Sequence, residues 1–275
     1  MDSILWNPAV PRDSISIDRG GAHPFYPLPT RVTEALRYIR SVMAETEPPS
    51  EPSLLEAVDV SHSYGDAPIL HSVGFQVRPG RCVALTGDNG SGKSTLLRLA
   101  AGREHPTSGA ILFRGSRMNG DRASTRAAIA SVMDAGVFYP DLTMREHLML
   151  VALAHGLAGE ADEAVDEAMA VHRIADKADL PGTALSSGQR QQMLLAAASV
   201  RPCELLILDE PEQRLDTGAR EELSERLTRF KESGKAILLA THWSRLVEDV
   251  ADDEVHLVDG VVMDVEDGRD RDFVR

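Results

Sequence analysis

Short, mostly apolar runs alternate with longer stretches of helical periodicity along most of this chain. Residues 81–86, 129–133, 205–208 and 235–240 are runs of the first kind. Runs of this length suit strands of a parallel sheet, because such strands are covered on both faces. Two earlier segments, 54–60 and 69–77, are strand-like and read as antiparallel strands leading into that sheet. Residues 144–157, 160–171, 191–200 and 217–232 place apolar side chains at helical spacing; in the last of these Leu223, Leu227 and Phe230 share one face of a strongly charged helix. Near the end, Asp259-Gly260 separates two apolar runs, and that dipeptide favours a tight primed turn in a hairpin spanning 255–263.

The first 53 residues differ. Pro24, Pro27, Pro29, Pro48, Pro49 and Pro52 predict loop or polyproline II, interrupted by one amphipathic helix at about 30–44. Val32, Leu36, Ile39 and Met43 form its apolar stripe, with Arg31, Arg37 and Arg40 between them. Two readings of that helix stand: one docked on protein, or one lying on anionic lipid.

Composition narrows the classes. A hydrophobic share of 43% is enough for a sizeable core, and a net charge of -14 argues against a nucleic-acid surface, which needs a basic stripe. No apolar run approaches the roughly eighteen residues of a membrane span. The start, with Asp2, Asn7, Pro8 and Pro11, does not read as a signal peptide. Cys82 and Cys203 open two of the buried runs and read as reduced core thiols.

The chemistry concentrates in two contiguous motifs. Gly87-Asp88-Asn89-Gly90-Ser91-Gly92-Lys93-Ser94-Thr95 fits the P-loop spacing, between a strand and a helix. Glycines let successive backbone N–H groups turn inward on phosphate oxygens, the lysine reaches the outer phosphates, and the Ser94 hydroxyl can ligate Mg²⁺. Leu205-Leu206-Ile207-Leu208-Asp209-Glu210 is a buried strand ending in two carboxylates. Ligands of open α/β sheets gather at such strand ends. Asp209 is placed to hold Mg²⁺ and Glu210 to act as general base on water.

A third motif carries a resemblance. Leu185-Ser186-Ser187-Gly188-Gln189, ahead of the helix at 191–200, is similar to the signature sequence of ABC ATPases, with Ser187 where a glycine is usual. The resemblance covers about 54–263 and implies an α/β fold: a P-loop NTPase core with a mostly parallel sheet, an N-terminal antiparallel β subdomain, and a helical subdomain at about 136–184. It implies that Tyr64 stacks on adenine, that Asp216 lies at a dimer seam, and that His242 contacts the γ-phosphate. It also implies that Ser186, Ser187, Gly188 and Gln189 close over a nucleotide held by another copy. A chain with one P-loop and one signature must then dimerise, with itself or with another ABC ATPase, around two ATP. By itself, an aromatic such as Tyr64 is as well read as a packed surface residue, and His242 as a structural histidine.

The chain departs from the resemblance in three places. Asp134 stands where the family has a glutamine, and it either ligates Mg²⁺ or repels the γ-phosphate and slows turnover. Glu212-Gln213-Arg214 replaces residues that are more often small, and Arg214 could answer the extra charge of Asp134 across the interface. Ser187 is the third. In the family, a separate membrane permease docks beside the helical subdomain; the matching stretch is 137–143, where Phe138 and Tyr139 either receive that partner or pack the subdomain. The hairpin is followed by a short charged tail, 266–275. The expectation is a compact ATPase resembling those of exporters, at the inner face of the cell membrane. The alternative is a soluble ABC ATPase for assembly or nucleotide sensing.

Overall fold

The computed structural model describes residues 52–133 and 138–263, and two short strands, β1 (Ser14–Ile15) and β2 (Tyr26–Pro27). Residues 1–51 are a unit separate from 52–275, and in it β1 and β2 pair antiparallel. The helix expected at 30–44, Asp134 and the tail at 266–275 lie outside the described residues.

The second unit opens with β3 (Leu55–Tyr64), β4 (Ala67–Val77), β5 (Cys82–Thr86) and α1 (Lys93–Ala100). Next come β6 (Ser108–Phe113), β7 (Ser116–Arg117), α2 (Ala123–Ala128) and β8 (Ile129–Val132). A helical stretch follows, with α3 (Met144–Ala154), α4 (Ala161–Val171) and α5 (Ser187–Ser199). The chain then forms β9 (Leu205–Asp209), α6 (Thr217–Glu232), β10 (Ala236–Ala240), α7 (Ser244–Val250), β11 (Asp253–Val258) and β12 (Val261–Met263).

Two sheets result. The larger has the order β12-β11-β5-β10-β9-β8, and every pairing in it is parallel except β11 with β12, the expected hairpin. The smaller is antiparallel, in the order β4-β3-β6-β7. This is the mixed α/β arrangement that the apolar runs predict.

The central strands are apolar throughout because each face meets a different core. In β10, Ala236, Leu238 and Ala240 join the core that includes the antiparallel sheet and α1; Ile237 and Leu239 join the one that includes α6 and α7. The same alternation runs through β9, with Leu205 and Ile207 on one side and Leu206 and Leu208 on the other. A period of two over two apolar faces yields the unbroken runs seen in the sequence.

A third core belongs to the helical segment, where Met144, Leu148, Val165, Met169, Met193 and Ala196 pack together. A capping box starts α3: Thr143 Oγ1 accepts from the Glu146 backbone N–H, and the Glu146 carboxylate accepts from the Thr143 N–H at 2.8 Å. The same device corrects the expected start of α5. The helix begins at Ser187, not at 191, because Ser186 Oγ accepts from the Gln189 N–H at 3.2 Å and Gln189 Oε1 accepts from the Ser186 N–H at 2.9 Å. Ser187, Gly188 and Gln189 are thus the first turn of the helix.

His172 follows α4 directly and is buried, its Nε2 3.1 Å from Ser199 Oγ. Burial first, and the nearby Arg226 guanidinium second, push it from 6.5 down to about 3. The folded state therefore holds His172 neutral, while the unfolded chain takes up a proton below about pH 6.5. Its stabilisation is complete above that pH and is lost as pH falls toward 3. Between pH 7.5 and pH 5 the loss is about 2 kcal/mol. In urea titrations at both pH values, His172→Gln is expected to flatten the acid limb by about that amount. Parallel limbs in the two proteins would contradict this assignment.

Candidate functional site

The carboxyl ends of β5, β10 and β9, three neighbouring strands, carry the residues singled out as chemical. After β5 the chain turns through Gly87–Gly92 into α1. Gly87 has φ 126°, and a β-carbon there would sit 2.0 Å from the Leu257 carbonyl oxygen. Only glycine lets the loop pass this close to the β11–β12 hairpin. Lys93 is buried at the helix start; its Nζ donates to the Gly87 carbonyl at 2.7 Å and to the Asp88 carbonyl at 2.9 Å. The ammonium is thereby held against the backbone of the loop. Ser91 Oγ is buried without a hydrogen-bond partner among the described residues, a polar atom left for a ligand or water. Ser94 and Thr95 follow in the first turn of α1.

At the end of β9, Asp209 is followed by Glu210, whose backbone is left-handed at φ 48° and whose N–H donates to the Ala240 carbonyl at 2.9 Å. Beyond β10 comes His242. Its Nε2 lies 2.9 Å from Glu210 Oε1 and 2.9 Å from Asn89 Oδ1, and its backbone N–H donates to Glu210 Oε2 at 3.3 Å. One imidazole thus ties the glycine-rich loop to the terminal carboxylate of β9, joining residues 153 apart in sequence. Burial, and the Glu212 carboxyl hydrogen-bonded beside it, push Glu210 up to about 7. The His242 N–H and the Lys93 charge pull the other way.

Glu212 is the site residue whose role the sequence left unassigned. It is 4% exposed, and Thr241 Oγ1 donates to its Oε1, so it links the loop after β9 to the end of β10. The visible signal was an acidic residue two places after Glu210, where small residues are more usual.

The signature turn is built separately. Gln191 Nε2 donates to the buried Pro211 carbonyl at 3.1 Å, and a β-carbon at Gly188 would lie 2.7 Å from the Arg214 carbonyl oxygen. The first turn of α5 therefore rests on the loop after β9. Among the described residues, no hydrogen bond joins Ser186, Ser187, Gly188 or Gln189 to the Gly87–Thr95 loop. Asp216 caps α6, its Oδ1 accepting from the Ala219 N–H at 2.9 Å.

With this geometry in place, comparison with known proteins decides the family. Residues 70–213 match the family model described as ABC transporter. The chain belongs to the ABC transporter family. It is 35% identical over 199 residues to the Nod factor export ATP-binding protein I of Sinorhizobium fredii, covering 72% of this chain and 58% of that protein. The corresponding Rhizobium etli protein is 32% identical over 217 residues, covering 78% of this chain and 68% of that one. Among solved structures, one titled as the ATP binding subunit of an ABC transporter superposes with a TM-score of 0.71 at 34% identity, covering 76% of this chain and 88% of that chain.

Two further features of this ABC family member bear on its expected sites. Tyr64 ends β3 and is 46% exposed; its hydroxyl donates to Glu104 at 2.6 Å and accepts from Arg98 at 3.1 Å, which fixes the side chain. Phe138 and Tyr139 differ in burial. Phe138 packs against the helical core, whereas Tyr139 is 59% exposed and meets the His147 ring at 5.6 Å.

Proposed function

We propose that this chain is the ATP-hydrolysing subunit of an ABC exporter, acting as a dimer around two ATP and driving a separate membrane permease. The observation that carries the reading is the meeting of Asn89, His242 and Glu210 beside Lys93, at the ends of β5, β10 and β9. The inward-turned loop Gly87-Asp88-Asn89-Gly90-Ser91-Gly92 and the Lys93 ammonium bind the phosphates, and Tyr64 stacks on the base. His242 orients the attacking water and Glu210 accepts its proton. Ser186, Ser187, Gly188 and Gln189 close on the nucleotide of the other copy, with Asp216 at the seam.

The residues present fit Mg²⁺. No cluster of three or more His, Cys, Asp or Glu that could cage a metal exists among the described residues. Mg²⁺ characteristically takes one or two protein oxygens and completes its shell with substrate phosphates and water. The Ser94 hydroxyl and the Asp209 carboxylate are the hard oxygen donors for it, with Asp134 a further candidate. When bound, the ion neutralises phosphate charge.

Among the described residues no helix is long and apolar enough to cross a membrane; in this reading the separate permease supplies the path. Exposed Tyr139, with Leu150 and Leu153 exposed on α3, offers that permease an apolar docking surface. The relatives above, each a Nod factor export ATP-binding protein I, favour export. The test is affinity purification of the tagged chain from detergent-solubilised membranes of its native host. A stoichiometric polytopic subunit, with ATPase activity in the purified complex, is the expected result. Recovery with soluble partners alone would overturn the reading.

A further inference from the structure

Arg214 sits in the loop between β9 and α6 with a left-handed backbone, φ 67°, a conformation that strains any residue carrying a β-carbon. Its carbonyl is pressed against Gly188, so the backbone of this loop and the signature turn are locked together. The Arg214 side chain is exposed and makes no hydrogen bond or ion pair with any described residue. Arg190, exposed in the first turn of α5, is likewise without a partner there, and the two border a hollow of about 290 Å³ with Ser187, Gln191 and Leu194. Many of the other guanidiniums are engaged, among them Arg145 with Asp162, Arg173 with Glu222 and Arg245 with Glu221. In a chain of net charge -14 carboxylates are plentiful, yet this loop holds its arginine away from them. A strained, charged and unpaired residue beside the signature turn indicates a ligand that comes from outside the chain.

We propose that Arg214 reaches across the dimer interface and binds the polyphosphate of the ATP held on the P-loop of the partner copy. The inference rests on the dimer reading above, in which the signature turn faces that same nucleotide. Arg214 is carried to the phosphates by its contact with Gly188. Its planar fork of donors matches phosphate oxygens in pairs, and in a closed, water-poor interface such bonds are strong. Arg214 would thus couple nucleotide occupancy to dimer closure, in addition to the backbone donors of the signature turn.

The test uses the full chain in a Glu210→Gln background, where ATP is hydrolysed slowly, and follows dimer formation against Mg-ATP concentration by sedimentation velocity. Arg214→Gly is expected to raise the ATP concentration needed for half-dimerisation at least tenfold. Arg214→Lys is expected to keep part of the effect, because it keeps the charge and loses the fork. Glycine relieves the left-handed backbone, so the thermal midpoint of Arg214→Gly is expected not to fall, and its affinity for a fluorescent ATP analogue as a dilute monomer is expected to stay unchanged. If Arg214→Gly dimerises at the same ATP concentration as its Glu210→Gln parent, the Arg214 proposal fails while the dimer reading stands. If the parent binds ATP and remains monomeric, the dimer reading fails and takes the proposal with it.

Discussion

Glu210→Gln is expected to slow ATP turnover by about 10²- to 10⁴-fold, the range a positioned general base contributes, while leaving ATP binding intact. Glutamine preserves the side-chain length, and its amide oxygen can still accept from His242, whose Nε2 and backbone N–H both address Glu210. It cannot accept the proton of an attacking water. The native carboxyl is pushed up to about 7 by burial and by Glu212, so near neutral pH its proton affinity suits exchange with water. The substitution also removes the conflict between two adjacent acids, so the folded protein is expected to unfold at the same or a higher temperature than wild type. Multiple-turnover phosphate release, binding of a fluorescent ATP analogue and a melting curve together check this. Turnover within a few-fold of wild type would remove Glu210 from the mechanism.

Gly87→Ala and Gly90→Ala form the second contrast, two identical changes in one loop with very different expected outcomes. Both glycines have positive φ, 126° and 86°, so both substitutions strain the backbone. The surroundings differ. A β-carbon at Gly90 meets nothing within 4 Å, whereas one at Gly87 would lie 2.0 Å from the Leu257 carbonyl oxygen and 3.0 Å from its carbon. Neither is the end of a flexible side chain, so the loop or β11 has to move. Gly90→Ala is expected to cost about 1 kcal/mol from the left-handed backbone alone. Gly87→Ala is expected to cost about 3 kcal/mol or more and to lower the thermal midpoint by about 10 °C. Nucleotide affinity should fall on the order of 100-fold, as about 3 kcal/mol of loop distortion would produce. Calorimetry and ATP-analogue titration on both variants check this, and equal behaviour of the pair would show that the hairpin does not confine the loop.

Most strands were legible because burial on two faces leaves an unmistakable apolar run, and Leu205–Asp209 and Ala236–Ala240 fall where those runs predict. The start of α5 was less legible. Ser186-Ser187-Gly188 has weak helix propensity, so apolar spacing becomes visible only from Gln191 onward. The first turn is held by a capping box, which is present in the sequence as Ser-x-x-Gln but acts through hydrogen bonds and leaves no periodicity. Glu212 was legible as an acid in an unusual position, but its partner was not, because Thr241 lies 29 residues away, just past the end of β10.

The division between sequence and structure follows the range of the interactions. The glycine spacing around Lys93, the paired carboxylates Asp209 and Glu210, and the strand and helix types are local properties, set by steric freedom, periodicity and burial within a few residues, and the sequence by itself determined them. The meeting of Asn89 with His242 and Glu210, the bond from Gln191 to Pro211 and the seating of Gly188 on Arg214 were decided only by the tertiary structure. The first of these depends on β10 lying between β5 and β9. Strand order in a parallel sheet is set by crossover connections and the packing of both faces, and no local pattern in the chain encodes which strand will be the neighbour of which.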